Sequence, residues 1–156
     1  MTEGNSESAL ELESILARLT ESQEALLKAL DAADADRFAI QAADGTSIKR
    51  SLERTVDDLD LYYGALTASC LNLPQPPGLV KSEFSTLREG TMALQVTQGR
   101  FTNLLHDVLP QDLDKTATDE RHATYTLRQV LEMTAAHFQL RVRQVETLNK
   151  PASTRA

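Results

Sequence analysis

Apolar residues in this chain recur at steps of three and four along four separate stretches, and nowhere do they alternate over a strand's length. A three-and-four spacing lines one face of a helix, whereas a half-buried strand needs a period of two. In the first stretch Leu12, Ile15, Leu16, Leu19, Leu26, Leu27 and Leu30 form the stripe, which skips without breaking at residues 20–22. The second runs through Ile48, Leu52, Val56, Leu59, Tyr62, Tyr63 and Leu66, with Thr46 or Ser47 as N-cap after the Asp44-Gly45 turn. It must stop before Pro74, Pro76 and Pro77, which lack the backbone N–H that a helix needs.

The third stretch is the most regular. Phe84, Leu87, Thr91, Leu94, Gln98, Phe101, Leu105 and Val108 alternate steps of three and four, a heptad-like seam suited to a partner helix or subunit. Gly90 and Gly99 lie inside it, each weakening the helix by about 1 kcal/mol relative to Ala. Close approach of another helix would account for them. A polar loop, Gln111 to Ala123, precedes the fourth stretch, where Thr126 and Gln129 have the spacing of a capping box. Leu127, Val130, Leu131, Thr134, Phe138, Val142, Val145 and Leu148 then make the buried face, closed by Asn149 and Pro151. No strand is expected. The fold class is all-α, a four-helix bundle with long inter-helix connections. It occupies 9–149 as one domain, after a disordered lead-in over 1–8 and before a flexible tail over 150–156.

Composition narrows the function classes. The 156 residues suit one core, and with four Phe, three Tyr and no Trp that core must be aliphatic. A formal net charge of −7 repels a phosphate backbone, so no nucleic-acid partner is expected. The single cysteine, Cys70, excludes an internal disulfide framework, suits a reducing cytoplasm and reads as a small core residue. No apolar run reaches the roughly 20 residues that span a bilayer. The acidic, polar start does not resemble a signal peptide. A cytoplasmic protein with no membrane partner is expected.

The order of short motifs resembles one family. Leu26-Leu27-Lys28-Ala29-Leu30, then Asp36-Arg37-Phe38, then Asp44-Gly45-Thr46-Ser47-Ile48-Lys49-Arg50-Ser51-Leu52 is similar to the opening of the DinB-like (DinB/YfiT-type) superfamily. Leu87-Arg88 followed by Thr91 resembles its third helix. The last helix is represented by Tyr125 to Glu132, Ala136-His137-Phe138 and Gln144-Val145. The resemblance covers roughly Leu12 to Leu148. It implies a four-helix bundle, often a homodimer, and in many members a divalent metal held by three histidines. The activities it implies are thiol-dependent S-transfer, thiol-dependent isomerisation and metal-dependent hydrolysis.

This chain departs from that pattern at the metal. Arg54 stands at the second-helix ligand position, and the last-helix pair reads His137 then Arg141; Thr46 stands where a Trp is expected. A guanidinium has no lone pair to give and repels a dication. The degenerate site is therefore expected to hold no metal and no cofactor. Two readings follow. In the first, Arg54 and Arg141 project into the old pocket beside His137 and clamp a small anionic ligand, or pair with Glu53, Asp57, Asp58 or Glu132, in a binding or interaction protein. In the second, His137 is a general base and the two arginines hold an anionic substrate, in an enzyme of the S-transferase or hydrolase type. A carboxylate behind His137 would favour the enzyme; arginines neutralised by acidic neighbours would favour the binding protein.

Other features have plainer readings. His106 and His122 read as surface or loop residues, and Asp57, Asp58 and Asp60 as a solvated helix face without the glycine and glutamate of a calcium loop. Tyr62 and Tyr63 point about 100° apart on a helix, so one is expected in the core and one at a pocket.

Overall fold

The computed structural model describes residues 2–75 and 79–150. Four helices pack as a bundle, with a small two-stranded hairpin at one side. The first, α1, spans Thr2–Asp31. The second is one continuous rod made of α2 (Ile48–Asp58), a π-helical turn (Leu59–Tyr63) and α3 (Gly64–Leu71). The third and fourth are α4 (Leu87–Leu104) and α5 (Leu127–Asn149). α1 packs chiefly on α5, and α2 on both α4 and α5. Among the described residues, no helix is long and apolar enough to cross a membrane.

The ends of these helices follow from local chemistry. Ser47 caps α2, its hydroxyl accepting the Arg50 N–H at 3.1 Å. Thr126 and Gln129 form the reciprocal capping box of α5, with bonds of 3.1 and 2.9 Å. Asn72 ends α3 in the left-handed conformation (φ 54°), a C-terminal geometry that asparagine tolerates, two residues before Pro74.

Three features depart from the sequence reading. α1 begins at Thr2, where a disordered lead-in is expected through Ser8. Leu10 is 65% exposed, so the backbone helix continues where the apolar stripe does not. The loop over 111–123 holds a 3₁₀ turn (Pro110–Asp114) and strand β1 (Thr116–Thr118), which pairs antiparallel with β2 (Thr124–Thr126). The all-α expectation thus holds for the bundle and fails for this hairpin. The segment Phe84 to Thr86 is not helical; Thr86 is the N-cap of α4. The expected tail beyond Lys150 lies outside the described residues.

The core is aliphatic with two phenylalanines, Phe101 and Phe138, at its centre. Burying each large apolar side chain contributes about 1.5–3 kcal/mol. The α4 seam faces inward: Phe84, Leu94, Gln98, Phe101 and Leu105 are all buried within the monomer. It is therefore not the subunit surface that its heptad spacing suggests.

A candidate functional site between α2 and α5

The π turn shapes this end of the bundle. Gly64 N–H donates to Leu59 O, five residues back, where an α-helix would use Asp60 O. The released Asp60 carbonyl accepts instead from Gln75 Nε2 at 3.2 Å. A Cβ on residue 64 would lie 2.6 Å from Leu59 O, so the wide turn requires glycine there. π turns are frequent where a helix presents side chains for function. Here the turn follows Asp58 directly and carries Tyr62 and Tyr63.

Facing it across the bundle, α5 brings His137 and Arg141 onto one face, four residues apart. Arg141 is well buried, its side chain 11% exposed, and its guanidinium is shared. Nη1 donates to Gln144 Oε1 at 2.9 Å, and Nη2 reaches Asp58 Oδ2 at 3.4 Å. Gln144 Oε1 also accepts from the Ser51 hydroxyl at 3.1 Å, tying α2 to α5. His137, 8% exposed in its side chain, stands with Nε2 3.6 Å from the same Asp58 oxygen, too far for a hydrogen bond. Among the described residues that Nε2 and Arg141 Nε have no hydrogen-bond partner. The Tyr63 ring covers the imidazole at 5.2 Å between centroids.

The electrostatics follow from burial. Burial first, and the Arg141 charge second, push the His137 imidazole down to about 4, so it is neutral near pH 7. Burial raises the Asp58 carboxyl above the usual carboxylate range, while Arg141 and then Arg54 pull it back down. The Arg141–Asp58 pair is therefore the ionic contact, with neutral His137 packed against it. Arg141 is the buried member of the pair and Asp58, its side chain 44% exposed, the solvated one, so removing Asp58 would strand a buried guanidinium.

Arg54 stands elsewhere. It is exposed, one turn before Asp58 on the same flank of α2, and reaches Asp58 and Arg141 only through its charge. The structure thus joins Arg141 and His137 but leaves Arg54 outside their cluster. Arg54 lines an open cleft of about 370 Å³ with Arg50 and Lys81, beside Glu53, Asp57 and Asp58. The carboxylates of this cleft are occupied. Glu53 binds Lys49 at 2.6 Å and the Phe84 N–H at 2.8 Å; Asp57 accepts the Ser82 N–H at 2.7 Å; Asp58 holds Arg141. Arg50, Arg54 and Lys81 have no ion pair or side-chain hydrogen bond among the described residues.

Several expected pairings are redistributed. Asp57, Asp58 and Asp60 do not form a solvated face, since each has a tertiary partner; Asp60 binds Arg100 at 2.9 Å and Thr97 at 3.2 Å. Glu132 pairs with Arg18 at 3.7 Å, away from Arg141. The tyrosines divide as their 100° separation requires. Tyr63 covers His137, and Tyr62 turns to the hairpin, its hydroxyl donating to Asp119 Oδ2 at 2.9 Å. His106 and His122 are exposed. No three His, Cys, Asp or Glu side chains converge on one point among the described residues.

Compared with protein-family models, curated proteins and solved structures, the chain matches none.

Proposed function

We propose that the protein is a divergent, metal-free DinB-like bundle that binds a small carboxylate- or phosphate-bearing anion in the cleft of Arg50, Arg54 and Lys81. What carries the reading is that these three cations line one cleft and, among the described residues, none of them makes a direct ion pair, the nearby Glu53, Asp57 and Asp58 being engaged by other groups, in a chain of net charge −7. Unpaired guanidinium groups side by side repel each other, and a shared anion relieves that repulsion with charge-assisted hydrogen bonds. Arg141, the second arginine of the expected clamp, supports the site from behind. By holding Asp58, it limits that carboxylate's competition with an incoming anion for Arg54.

The donor chemistry favours binding over metal catalysis. Only His137 and Asp58 in the cluster are usual metal ligands, and the Arg141 guanidinium, 3.4 Å from the same Asp58 oxygen that lies nearest His137, would repel a dication there. The enzyme reading has one point in its favour, the carboxylate beside His137. Against it, that same oxygen faces Arg141, and His137 is enclosed and does not line the cleft. A homodimer, implied by the family resemblance, would use a face other than the inward seam of α4; the exposed Met92 and Val96 on its outer side offer one.

The test is calorimetric titration with inorganic phosphate and with succinate, on the native protein and on Arg54→Ala. Saturable binding weakened about 10- to 100-fold by Arg54→Ala is expected, the value of one lost charged hydrogen bond. Absence of saturable binding for both probes, or binding indifferent to Arg54, overturns the reading.

A further inference from the structure

A second cleft, of about 480 Å³, opens between the π turn with α3 and the β1–β2 hairpin. That volume lies in the range of small-molecule sites. Its two walls differ in kind. Leu61 (40% exposed), Ala65 and Leu66 make an apolar wall on the helical rod. Tyr62, Tyr125, Asp119 and Glu120 make a polar, aromatic one.

The chemistry of that second wall has a definite sign. Asp119 Oδ1 accepts the N–H groups of Arg121 and Ala123, both at 2.9 Å, and Oδ2 accepts the Tyr62 hydroxyl. These bonds hold its carboxyl below the usual range, so it is an anion at neutral pH. The Tyr62 proton is committed to Asp119 and its phenol also interacts with that of Tyr125, so what Tyr62 offers a ligand is its ring. Tyr63 meets the Tyr62 ring edge-on at 5.1 Å and fixes its orientation. Arg121 also lines the cleft, and its charge acts on Asp119. Glu120 has no ion pair among the described residues. Two carboxylates against one guanidinium leave a lining charge of −1, and tyrosine ring faces add negative potential.

We propose that this cleft binds a small organic ammonium ion, its apolar body against Leu61 and Leu66 and its charged head against Asp119, Glu120 and the tyrosine rings. The site is independent of the Arg54 cleft and takes the opposite charge. An anion would meet the unpaired Glu120 and the negative ring faces. A neutral apolar molecule would gain the helical wall but leave the excess negative charge of Asp119 and Glu120 uncompensated.

The experiment is titration of the full chain with 2-phenylethylammonium chloride, followed by calorimetry and by the methyl NMR signals of Ala65 and Leu66. The matched controls are 2-phenylethanol and phenylacetate. The ammonium is expected to bind saturably and to shift both methyl signals. The alcohol should bind about tenfold more weakly, in keeping with a charged hydrogen bond and a cation–π contact. Glu120→Gln should weaken the ammonium several-fold and leave the alcohol unchanged. Ala65→Phe, which fills the cleft, should abolish binding; Ser69→Phe, on the exposed side of α3, is the second blocking variant if the first does not fold. Equal binding of alcohol and ammonium would mean an apolar crevice only, and tighter binding of phenylacetate would make Arg121 the head-group contact. Either result overturns the proposal, as does absence of ammonium binding.

Discussion

Gly90 and Gly99 sit in the same helix, and replacing each with alanine should stabilise the chain at Gly99 but not at Gly90. In an open helix interior the exchange stabilises by about 1 kcal/mol, because alanine has less backbone freedom to lose. At Gly99 a methyl meets nothing within 4 Å, so nearly all of that gain should survive. At Gly90 the methyl overlaps Leu52 Cδ2 and comes within 3.2 Å of Leu52 Cγ and 3.0 Å of Phe84 Cδ2. Leu52 is 1% exposed and Phe84 6%, so neither can swing into solvent. Over-packing a closed core costs about 1–3 kcal/mol, against a gain of at most about 1 kcal/mol. Gly90→Ala should therefore be neutral to about 2 kcal/mol destabilising. The difference between the two variants, about 1–3 kcal/mol, isolates the packing effect, since the propensity gain largely cancels. For a chain of this size each kcal/mol moves the melting temperature by about 2–4 °C. Urea unfolding followed by circular dichroism reads both. If the two variants gain equal stability, α2 does not press on α4 at Gly90 and the packing described for that pair is wrong.

Arg141→Ala should destabilise the fold by about 1–3 kcal/mol, through the lost packing of its buried side chain and the lost Gln144 bond, while exposed Arg88→Ala should change it by less than about 0.5 kcal/mol. Equal small losses in thermal melts would remove Arg141 from the interior. The neutral, buried His137 predicts a pH dependence of known sign. With a folded value of about 4 against an ordinary 6.5, the unfolded chain binds the proton first, so stability is full above about pH 6.5 and declines as pH falls toward 4. The loss is on the order of 2–3 kcal/mol, and His137→Leu should flatten that window in denaturation curves measured from pH 4 to 7. An unchanged slope would mean that His137 titrates freely. Gly64→Ala should cost at least about 1 kcal/mol despite alanine's better propensity, because the methyl meets Leu59 O at 2.6 Å. A gain in stability would show that the π turn can rewind without loss.

The four helices were legible because each buries one face, and burial of one face writes a three-and-four period into the sequence. The caps were legible too, since Ser47 and the Thr126–Gln129 pair act within one turn of their own positions. The hairpin was not. Its strands are three residues each and mostly threonine, and its turn is held by the Asp119 side chain, so no apolar alternation announces it. Nor was the π turn, whose sole local mark is a glycine after two tyrosines.

The site was half legible. Periodicity places Arg141 and His137 on one face of α5, and both are there. For Arg54 it gives an angle relative to Leu52 and Val56 and a flank shared with Asp58, but not that only Asp58, one turn on, reaches across to α5. The α4 seam shows the same limit, because a heptad period does not say whether the partner helix belongs to the same chain. The charges of Asp57, Asp58 and Asp60 were visible, but their partners lie 25 to 83 residues away and come from tertiary packing alone.

The most direct test of the account is elemental analysis of protein purified without chelator or metal-binding tag, followed by titration with zinc. The Arg141–Asp58 pair beside a neutral, buried His137 predicts no stoichiometric metal and no saturable zinc uptake. One zinc bound per chain would mean that Asp58 leaves Arg141 to become a ligand beside His137, and the metal-free reading of this site would fail.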